Sequence, residues 1–174
     1  ESVRRTGSFC NEVAMFSITL LCMGKLKEKF YTAAAEEYSK RLRAFADFRI
    51  VELPEYRLPD DPNETQIAQG LAREAESIRK TIQKGAWLCV LTPEGRLLSS
   101  EELASALHGV KTGGRSAACF LIGSSFGIDP SIKAMADLKL SMSKMTFPHH
   151  LARVMALEQL YRAESIQAGT KYHK

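Results

Sequence analysis

The sequence predicts one α/β domain in which helices cover both faces of a mostly parallel sheet. Several short runs are almost entirely apolar rather than alternating, which is typical of strands buried on both faces. Segments with helical periodicity separate these runs, as the connections of a parallel sheet require. The composition, 45% hydrophobic and 25% charged over 174 residues, is that of an ordinary globular domain.

Residues 1–14 precede the first of these runs and have no usable periodicity. We predict that they form an extension outside the domain, which spans residues 15–174. A tag remnant, an alternative upstream start or the remainder of an organelle transit peptide would each explain them. Glu1 and Glu12 weigh against the last explanation, because transit peptides are poor in acidic residues.

The first half of the domain is predicted to contain two strands and two helices. Strands are expected at 16–23 and 48–53, and a proline-rich loop at 54–62 follows the second strand. A helix is expected within 26–45, and its apolar stripe consists of Phe30, Ala34, Tyr38, Leu42 and Phe45. The next helix should begin at a capping box formed by Asp61, Pro62 and Glu64.

The second half continues the same alternation. Strands are expected at 86–92, 117–122 and about 138–142. Ser99 and Glu102 form a capping box that opens the helix between the first two of these strands. A short helix should follow 129–130, and the last helix should occupy about 148–167.

The four cysteines lie far apart and form no CxxC pair. Cys22, Cys89 and Cys119 fall in the apolar runs, so we predict buried, reduced thiols and a reducing compartment. No metal is expected, because a structural zinc needs four clustered ligands. No membrane span is expected either, because the apolar runs are shorter than the roughly 18 to 20 residues that cross a bilayer.

Charge is distributed unevenly around a net value of +4. Residues 25–49 carry seven basic and four acidic side chains, and residues 139–174 carry six and two, whereas residues 50–79 carry three and seven. Two basic surfaces of this kind would attract a polyanion such as a nucleic acid. A solvated face is the other explanation of such a charge run.

Ligands of parallel sheets bind at the carboxyl ends of the strands, which selects four loops for attention. These loops are 24–25, 92–95, 123–127 and 141–149. GSSFG at 123–127 is neither a Walker motif nor GxGxxG, so a simple strand-to-helix turn is an equal interpretation. The loop 141–149 combines hydroxyls, a lysine and a proline directly before the last helix, a mixture that is unusual for a plain connection.

The carboxy-terminal third carries a recognisable pattern. It consists of LSMSKMTFPH at 140–149, LARVMALEQLYR at 151–162 and KYHK at 171–174. GKLK at 24–27, LTPEG at 91–95 and FLIG at 120–123 match in the same order. Over residues 16–174 the chain thereby resembles the RlmH family of ribosomal RNA methyltransferases, which consist of little more than one SPOUT-type domain.

The resemblance implies a trefoil knot within the last third of the chain, an exception to the usual unknotted topology. It also implies a homodimer that uses S-adenosylmethionine to methylate N3 of a pseudouridine. The target nucleotide of the family lies in the helix 69 loop of large-subunit ribosomal RNA, within assembled ribosomes.

Carried over position by position, the family's cofactor pocket falls on Leu91, Gly123, Ser124, Ser143, Lys144, Met145, Thr146, Phe147 and Pro148. Backbone groups there would bind the adenine edge, and apolar side chains would pack on its faces. The chain departs from the family at Ser124, where a second glycine is usual, and at Ser125, where proline is common. A serine at position 124 avoids strain only if its φ is negative.

Methyl transfer to an imide nitrogen needs a proton acceptor, polar groups that hold the base and in-line positioning. The candidates for these roles are His173, Tyr172, Arg162, Glu158 and His149. The resemblance favours His173, Tyr172 and Arg162 especially. On residue types alone, Glu158 and Arg162 would be an exposed ion pair and the terminus would fray. We expect instead that the tail orders over the bound base, across a dimer interface. Candidates for phosphate contact are Lys25, Lys27, Arg153 and Lys174.

Two other interpretations stay open. The chain would be a SPOUT methyltransferase of another RNA nucleotide, or a non-catalytic RNA- or ribosome-binding relative, which Ser124 and Ser125 favour. The expected location is the cytoplasm, with a plastid or mitochondrion as the alternative if residues 1–14 are a targeting remnant.

Overall fold

The structure, a computed structural model, describes residues 15–174, so the predicted extension at 1–14 lies outside the described residues. Strands and helices alternate along the whole of the described chain. Their bounds are β1 Ser17–Met23, α1 Lys29–Leu42, β2 Asp47–Leu53, α2 Glu64–Thr81, β3 Trp87–Leu97, α3 Ser100–Thr112, β4 Ala117–Ile122, α4 Pro130–Ala134, β5 Leu138–Ser141 and α5 His149–Gln167. The predicted order of elements is confirmed.

The five strands form one sheet in the order β2-β1-β4-β3-β5. Every pair of neighbouring strands is parallel. Parallel neighbours need crossover connections, which the intervening helices supply. The prediction of a mostly parallel sheet is therefore confirmed, and the carboxyl ends of all five strands meet at one edge.

Helices cover both faces of the sheet, as expected from its apolar strands. In β1, Ile18 and Cys22 contribute to the core under α1, α3 and α5, whereas Leu21 and Met23 contribute to the core under α2 and α4. All four side chains are fully buried. Apolar residues on both faces of β1 are the direct consequence of burial on both sides, and the polar side chain of Thr19 is buried with them.

The last helix, α5, packs between α1 and α3 on the first of these faces. Its carboxy-terminal half is held by an ion pair between Lys111 Nζ and the buried Glu164 carboxylate, at 2.7 Å. Its amino-terminal end lies at the edge of the sheet where the strands end. Helix α5 therefore runs from the edge where the strands end to a region about its own length away, beside α3.

Three free cysteines, Cys22, Cys89 and Cys119, are buried in the described chain, which confirms the expected thiols. Burial raises the pKa of Cys22 and of Cys119 to about 12, so both thiols are protonated and unreactive. No helix within residues 15–174 is long and apolar enough to cross a membrane. The trefoil knot that the resemblance implies stays a prediction.

Three local expectations are wrong. The cap of α2 is Asn63, which forms a capping box with Gln66 instead of one centred on Asp61. Phe30 belongs to the predicted apolar stripe of α1, yet it is 67% exposed because it lies in the first turn, ahead of the residues that reach the sheet. Strand β3 runs on to Leu97, five residues beyond the predicted end.

Candidate functional site

A cleft of about 430 Å³ opens at the carboxyl ends of β3, β4 and β5. Three segments form most of its wall: 91–93 in the irregular part of β3, 122–128 from the end of β4, and 140–149 from the end of β5 to the start of α5. All nine residues predicted to hold the cofactor line it. Three of the four loops selected from the sequence therefore lie around one cavity.

The irregular second half of β3 shapes the first wall. Leu91 and Arg96 both pair with Leu140 of β5, so residues 92–95 bulge out between them. A Cβ at Gly95 would lie 2.5 Å from the carbonyl carbon of Leu140, which only glycine avoids. The sequence predicts an end of this strand at Thr92, because Pro93 and Gly95 are typical of a turn.

A charged pair braces this bulge. Lys133 of α4 lines the cleft and donates to Glu94, which also accepts from the Thr92 hydroxyl. These bonds, that from Lys133 first, lower the pKa of Glu94 to about 2. Nothing in the sequence singled out Lys133, because its link to Glu94 exists only once α4 packs near the end of β3.

The loop after β4 forms the second wall and turns tightly. A Cβ at Gly123 would lie 2.4 Å from the Gly127 carbonyl oxygen, so no larger residue fits there. Gly127 has a φ of +95°, and its N–H donates to the Ser124 carbonyl at 2.9 Å. No residue other than glycine has a positive φ within the described chain, so Ser124 and Ser125 are unstrained.

The loop between β5 and α5 forms the third wall. Ser141 donates its hydroxyl to the Ser143 carbonyl at 2.9 Å, and the Ser143 hydroxyl accepts from the Met145 N–H at 3.0 Å. These local bonds shape the loop, and Met145 is 73% exposed at its tip. Phe147 is half-buried beside it. An exposed apolar side chain at a cleft mouth is suited to cover a bound ligand.

His149 opens α5 and also lines the cleft. Its ring lies 4.3 Å from that of His150, and its Nε2 lies 3.8 Å from Oε1 of Glu55. Burial, followed by the charge of His150, lowers the pKa of His149 below its ordinary value of 6.5. The imidazole is therefore neutral at pH 7 and able to accept a proton.

Arg153 lies one turn further along α5 and corrects an expectation. Its side chain is 1% exposed, its guanidinium pairs with Glu52, and Nη2 donates to the Gly24 carbonyl at 2.9 Å. A buried and paired guanidinium is not placed to contact phosphate, so that assignment is wrong. The signal was present in the helical spacing, since Arg153 shares its face with the core residues Leu157 and Leu160.

The other four predicted catalytic residues form a cluster of their own, which we call the tail cluster: Glu158, Arg162, Tyr172 and His173. Arg162 Nε donates to Oε1 of Glu158 at 2.9 Å, and the Tyr172 hydroxyl donates to the same oxygen at 3.1 Å. Burial, and then the bond to Glu158, raises the pKa of Tyr172 to about 12. The terminus is thus folded back onto α5.

His173 extends this cluster to the start of α3. Its Nδ1 accepts from Arg162 at 3.3 Å, and its Nε2 lies 2.7 Å from Oε1 of Glu101. The backbone N–H of Glu101, followed by His173, lowers the pKa of that carboxyl to about 2. The arrangement is a network of polar side chains on the surface of one chain.

The tail cluster and the cleft do not meet within one chain. Glu158 lies nine residues along α5 from His149, which is about 14 Å at 1.5 Å per residue. An apolar cavity of about 550 Å³ separates the two, lined by Val154, Met155 and Glu158 on one side. Leu91 and Met142 line both the cavity and the cleft.

The lysines predicted to contact phosphate also separate into two places. Lys25 and Lys27 are exposed in the loop after β1, beside the first turn of α5, and exposed Phe30 follows them. Lys174 is exposed next to the tail cluster. A basic segment with a projecting aromatic ring is typical of a surface that binds single-stranded nucleic acid.

Comparison with known proteins decides the family. Residues 16–173 match the family model described as "Predicted SPOUT methyltransferase". The chain belongs to the SPOUT methyltransferase family. The resemblance found in the sequence is confirmed by relatives from within this family.

Two SPOUT relatives carry the name ribosomal RNA large subunit methyltransferase H. The one from Moorella thermoacetica is 42% identical over 160 residues, covering 92% of this chain and 100% of its own length. The one from Bifidobacterium adolescentis is 45% identical over 157 residues, covering 90% of this chain and 99% of its own. Both matches span nearly the whole of either protein.

A solved structure gives a likeness of fold alone. It is a probable methylase family protein from Haemophilus influenzae, with a TM-score of 0.50 and 15% identity, covering 90% of this chain and 70% of that one. The sheet and helices described above are thus those of a SPOUT methylase, and the family implies a methyl donor as co-substrate.

Proposed function

We propose that this SPOUT protein uses S-adenosylmethionine to methylate N3 of a pseudouridine in the helix 69 loop of large-subunit ribosomal RNA. The observation that carries the proposal is the cleft, because every residue predicted for the cofactor lies on its wall. The names of the relatives from Moorella and Bifidobacterium support ribosomal RNA as the substrate class.

The residues of the cleft fit this cofactor. The volume of about 430 Å³ is within the range of small-molecule sites. Leu91, Ile122 and Phe147 offer apolar surface to a flat purine, and the backbones of 123–127 and 143–148 offer hydrogen bonds to its edge. S-adenosylmethionine, when bound, supplies a methyl group on a cationic sulfonium.

The chain must also remove the imide proton from N3 before the nitrogen can attack. Of the five predicted catalytic residues, His149 is the one that lines the cleft. Because burial keeps its imidazole neutral at pH 7, His149 is able to take that proton. We assign His149 as the proton acceptor.

The tail cluster of one chain would then hold the nucleobase at the cleft of a second copy of the chain. Tyr172, His173 and Arg162 carry donors and acceptors that hold a nucleobase, but in one chain they lie beyond the apolar cavity. Half-buried Val154 and Met155 give that cavity an apolar rim suited to an interface. We propose a homodimer in which the tail of one chain covers the cleft of the other.

The RNA surface would run from the loop after β1 to the cleft. Lys25 and Lys27 would contact phosphates, and Phe30 would stack on an unpaired base beside the target. His150, which lies 3.1 Å from Glu28 and 6.4 Å from the Tyr31 ring, connects this segment to the cleft. Ribosomal loops of single-stranded RNA expose such bases.

The deciding experiment is transfer of labelled methyl from S-adenosylmethionine to assembled ribosomes. Ribosomes that carry the helix 69 pseudouridines are compared with ribosomes that have uridine at the same positions. We expect label only in the first sample, as N3-methylpseudouridine. Label at another nucleotide would favour a different RNA target, and absence of label with intact cofactor binding would refute the reaction.

The non-catalytic alternative loses its main support. It rested on Ser124 and Ser125, whose side chains would strain a loop of positive φ. Their φ values are not positive, so the loop conformation is compatible with serine at both positions.

A further inference from the structure

Helix α2 buries a carboxylate that no part of the proposed reaction uses. Glu74 is 6% exposed. Its Oε1 accepts from the Tyr56 N–H at 2.9 Å and its Oε2 from the Ser124 hydroxyl at 3.0 Å. Within residues 15–174 it forms no ion pair with a Lys, Arg or His side chain. A buried carboxylate without a cation is costly, so its retention needs a reason.

Ser124 stands between two cavities. One is the cofactor cleft, and the other is a smaller cavity of about 310 Å³ behind the loop, which Glu74 and Tyr56 also line. The hydroxyl of Ser124 has one proton and two acceptors in reach, Glu74 at 3.0 Å and the Gly127 carbonyl at 3.5 Å. The shorter contact takes the proton, so Ser124 donates to Glu74.

The loop 123–127 is otherwise held by its own backbone. The Gly127 N–H closes the turn on the Ser124 carbonyl, and Gly123 is packed against Gly127 and Ile128. These contacts define the shape of the turn, and β4, which ends at Ile122, fixes where the turn begins. The bond from Ser124 to Glu74 joins the turn to α2, and the Tyr56 N–H joins the same carboxylate to the segment after β2.

We propose that Glu74 is a positioning residue for the methyl-donor cofactor, acting through Ser124 to hold the 123–127 loop in its receiving conformation. The inference rests on the proposed function in taking the cleft as the S-adenosylmethionine site. A loop that is already in place loses less conformational freedom on binding, so the bond contributes to affinity. At position 124, where the family usually has a second glycine, the serine hydroxyl of this chain instead anchors the loop through its bond to Glu74.

The test is a double-mutant cycle on the full chain, with S-adenosylmethionine affinity measured by calorimetry. Ser124→Ala should weaken binding about threefold to tenfold, the usual effect of one hydrogen bond. In a Glu74→Ala background the same substitution should add nothing, because the anchor is already lost. The loss of the Tyr56 partner is common to both members of that background and cancels in the cycle.

Matched controls come from the same helix. Ser77→Ala and Glu76→Gln change exposed side chains of α2 and should leave the affinity unchanged. An equal effect of Ser124→Ala in both backgrounds would mean that the hydroxyl acts on the cofactor directly, and it would overturn the inference. No effect in either background would overturn it as well.

Hydrogen exchange keeps the inference testable if Glu74→Ala does not fold. Without cofactor, the Gly127 amide should exchange faster in Ser124→Ala than in the unsubstituted chain, because the turn is no longer anchored. Unchanged exchange would refute the anchor. Failure of the unsubstituted chain to bind S-adenosylmethionine would refute the proposed function, whereas normal binding with an uncoupled cycle would refute this inference alone.

Discussion

The two ends of α5 are built in opposite ways. At its first turn, the cleft is formed by tight loops whose backbone groups face a cavity of about 430 Å³. Toward its other end, Glu158, Arg162, Tyr172 and His173 bind one another as charged and polar side chains. The first region has room for a small molecule, and the second carries the side chains that would hold a base. Each region lacks what the other supplies.

This difference supports the proposal that one chain carries two half-sites. The loops that follow neighbouring strands, together with α4 and the start of α5, form the walls of the cleft within one chain. The tail cluster gains its position only from α5 and α3, about 14 Å along the helix from the cleft. In the proposed homodimer, a two-fold interface would bring the second half-site of each chain to the first half-site of its partner, since an isologous interface repeats each contact.

The largest effect is expected from removing the tail. Deletion of Tyr172 to Lys174 should abolish methyl transfer, because the base loses its polar partners, while binding of S-adenosylmethionine stays largely intact. Calorimetry and transfer of labelled methyl measure the two quantities on the same sample, and Lys171→Ala serves as control. Turnover by the shortened chain would contradict the role of the tail.

Mixed dimers sharpen this test. A tail-deleted chain and a Gly123→Val chain should each be inactive, and co-assembly should restore about a quarter of the normal activity, because half of the dimers then contain one complete site. A tail that acted on its own chain would restore none.

The second effect concerns the proton acceptor at the start of α5. His149→Ala should lower the rate about a hundredfold, since a positioned base contributes at least that much. His108→Ala, which changes an exposed histidine of α3 outside the cleft wall, is the matched control with little effect. A full rate in His149→Ala would rule out this base.

The pH profile gives the same assignment an independent check. Because burial lowers the pKa of His149, the imidazole is free at pH 7 and becomes protonated only below its ordinary value of 6.5. The rate of the unsubstituted enzyme should therefore be level near pH 7 and fall on acidification below 6.5. His149→Ala should not show this acid limb.

The third effect concerns the wall formed after β4. Gly123→Ala places a Cβ 2.4 Å from the Gly127 oxygen, so the turn must shift. We expect a loss of cofactor affinity of about thirtyfold and a lower free energy of unfolding by about 1–3 kcal/mol. Gly109→Ala in α3 meets no neighbour and should stabilise the protein by about 0.5–1 kcal/mol. An equal free energy of unfolding for Gly123→Ala and Gly109→Ala would contradict the close contact between a Cβ at position 123 and the Gly127 oxygen.

The smallest effect should come from the two exposed lysines in the loop after β1. Replacing Lys25 and Lys27 by alanine should weaken ribosome binding severalfold and reduce the slope of log affinity against log salt by about two, one for each phosphate contact. Cofactor affinity should not change. Lys40→Ala, at the exposed far end of α1, is the control, and an unaltered slope in the double variant would exclude these contacts.

Most of the fold could be predicted because burial leaves a direct trace in the sequence. Strands covered on both sides are apolar throughout, as in 117–122, and capping boxes such as Ser99 with Glu102 mark helix starts. The extension of β3 could not be predicted, because residues 92–95 have turn composition and pair with β5 only around a bulge. Phe30 was misplaced because helical spacing identifies a stripe but not how far the sheet extends beneath it.

Some residues of the candidate site could be predicted from the sequence, and others could not. Its cofactor residues were predicted through resemblance, and the structure gathers all of them on one cleft. Arg153 was misassigned because a basic residue is usually solvated, whereas here it pairs with Glu52 and binds Gly24 at the end of β1. Glu74 and Lys133 were missed, because each matters through a partner 50 or 39 residues away.

By itself the sequence determined the order of strands and helices, the thiol state of the three buried cysteines and the family. These depend on apolar patterns and local motifs, because burial and helix capping constrain residues that are neighbours along the chain. Only the tertiary structure decided the sign of φ at Ser124, the burial of Arg153 and the separation of the tail cluster from the cleft. Each of these depends on which distant segments meet, and that is settled by packing rather than by the neighbours of a residue along the chain.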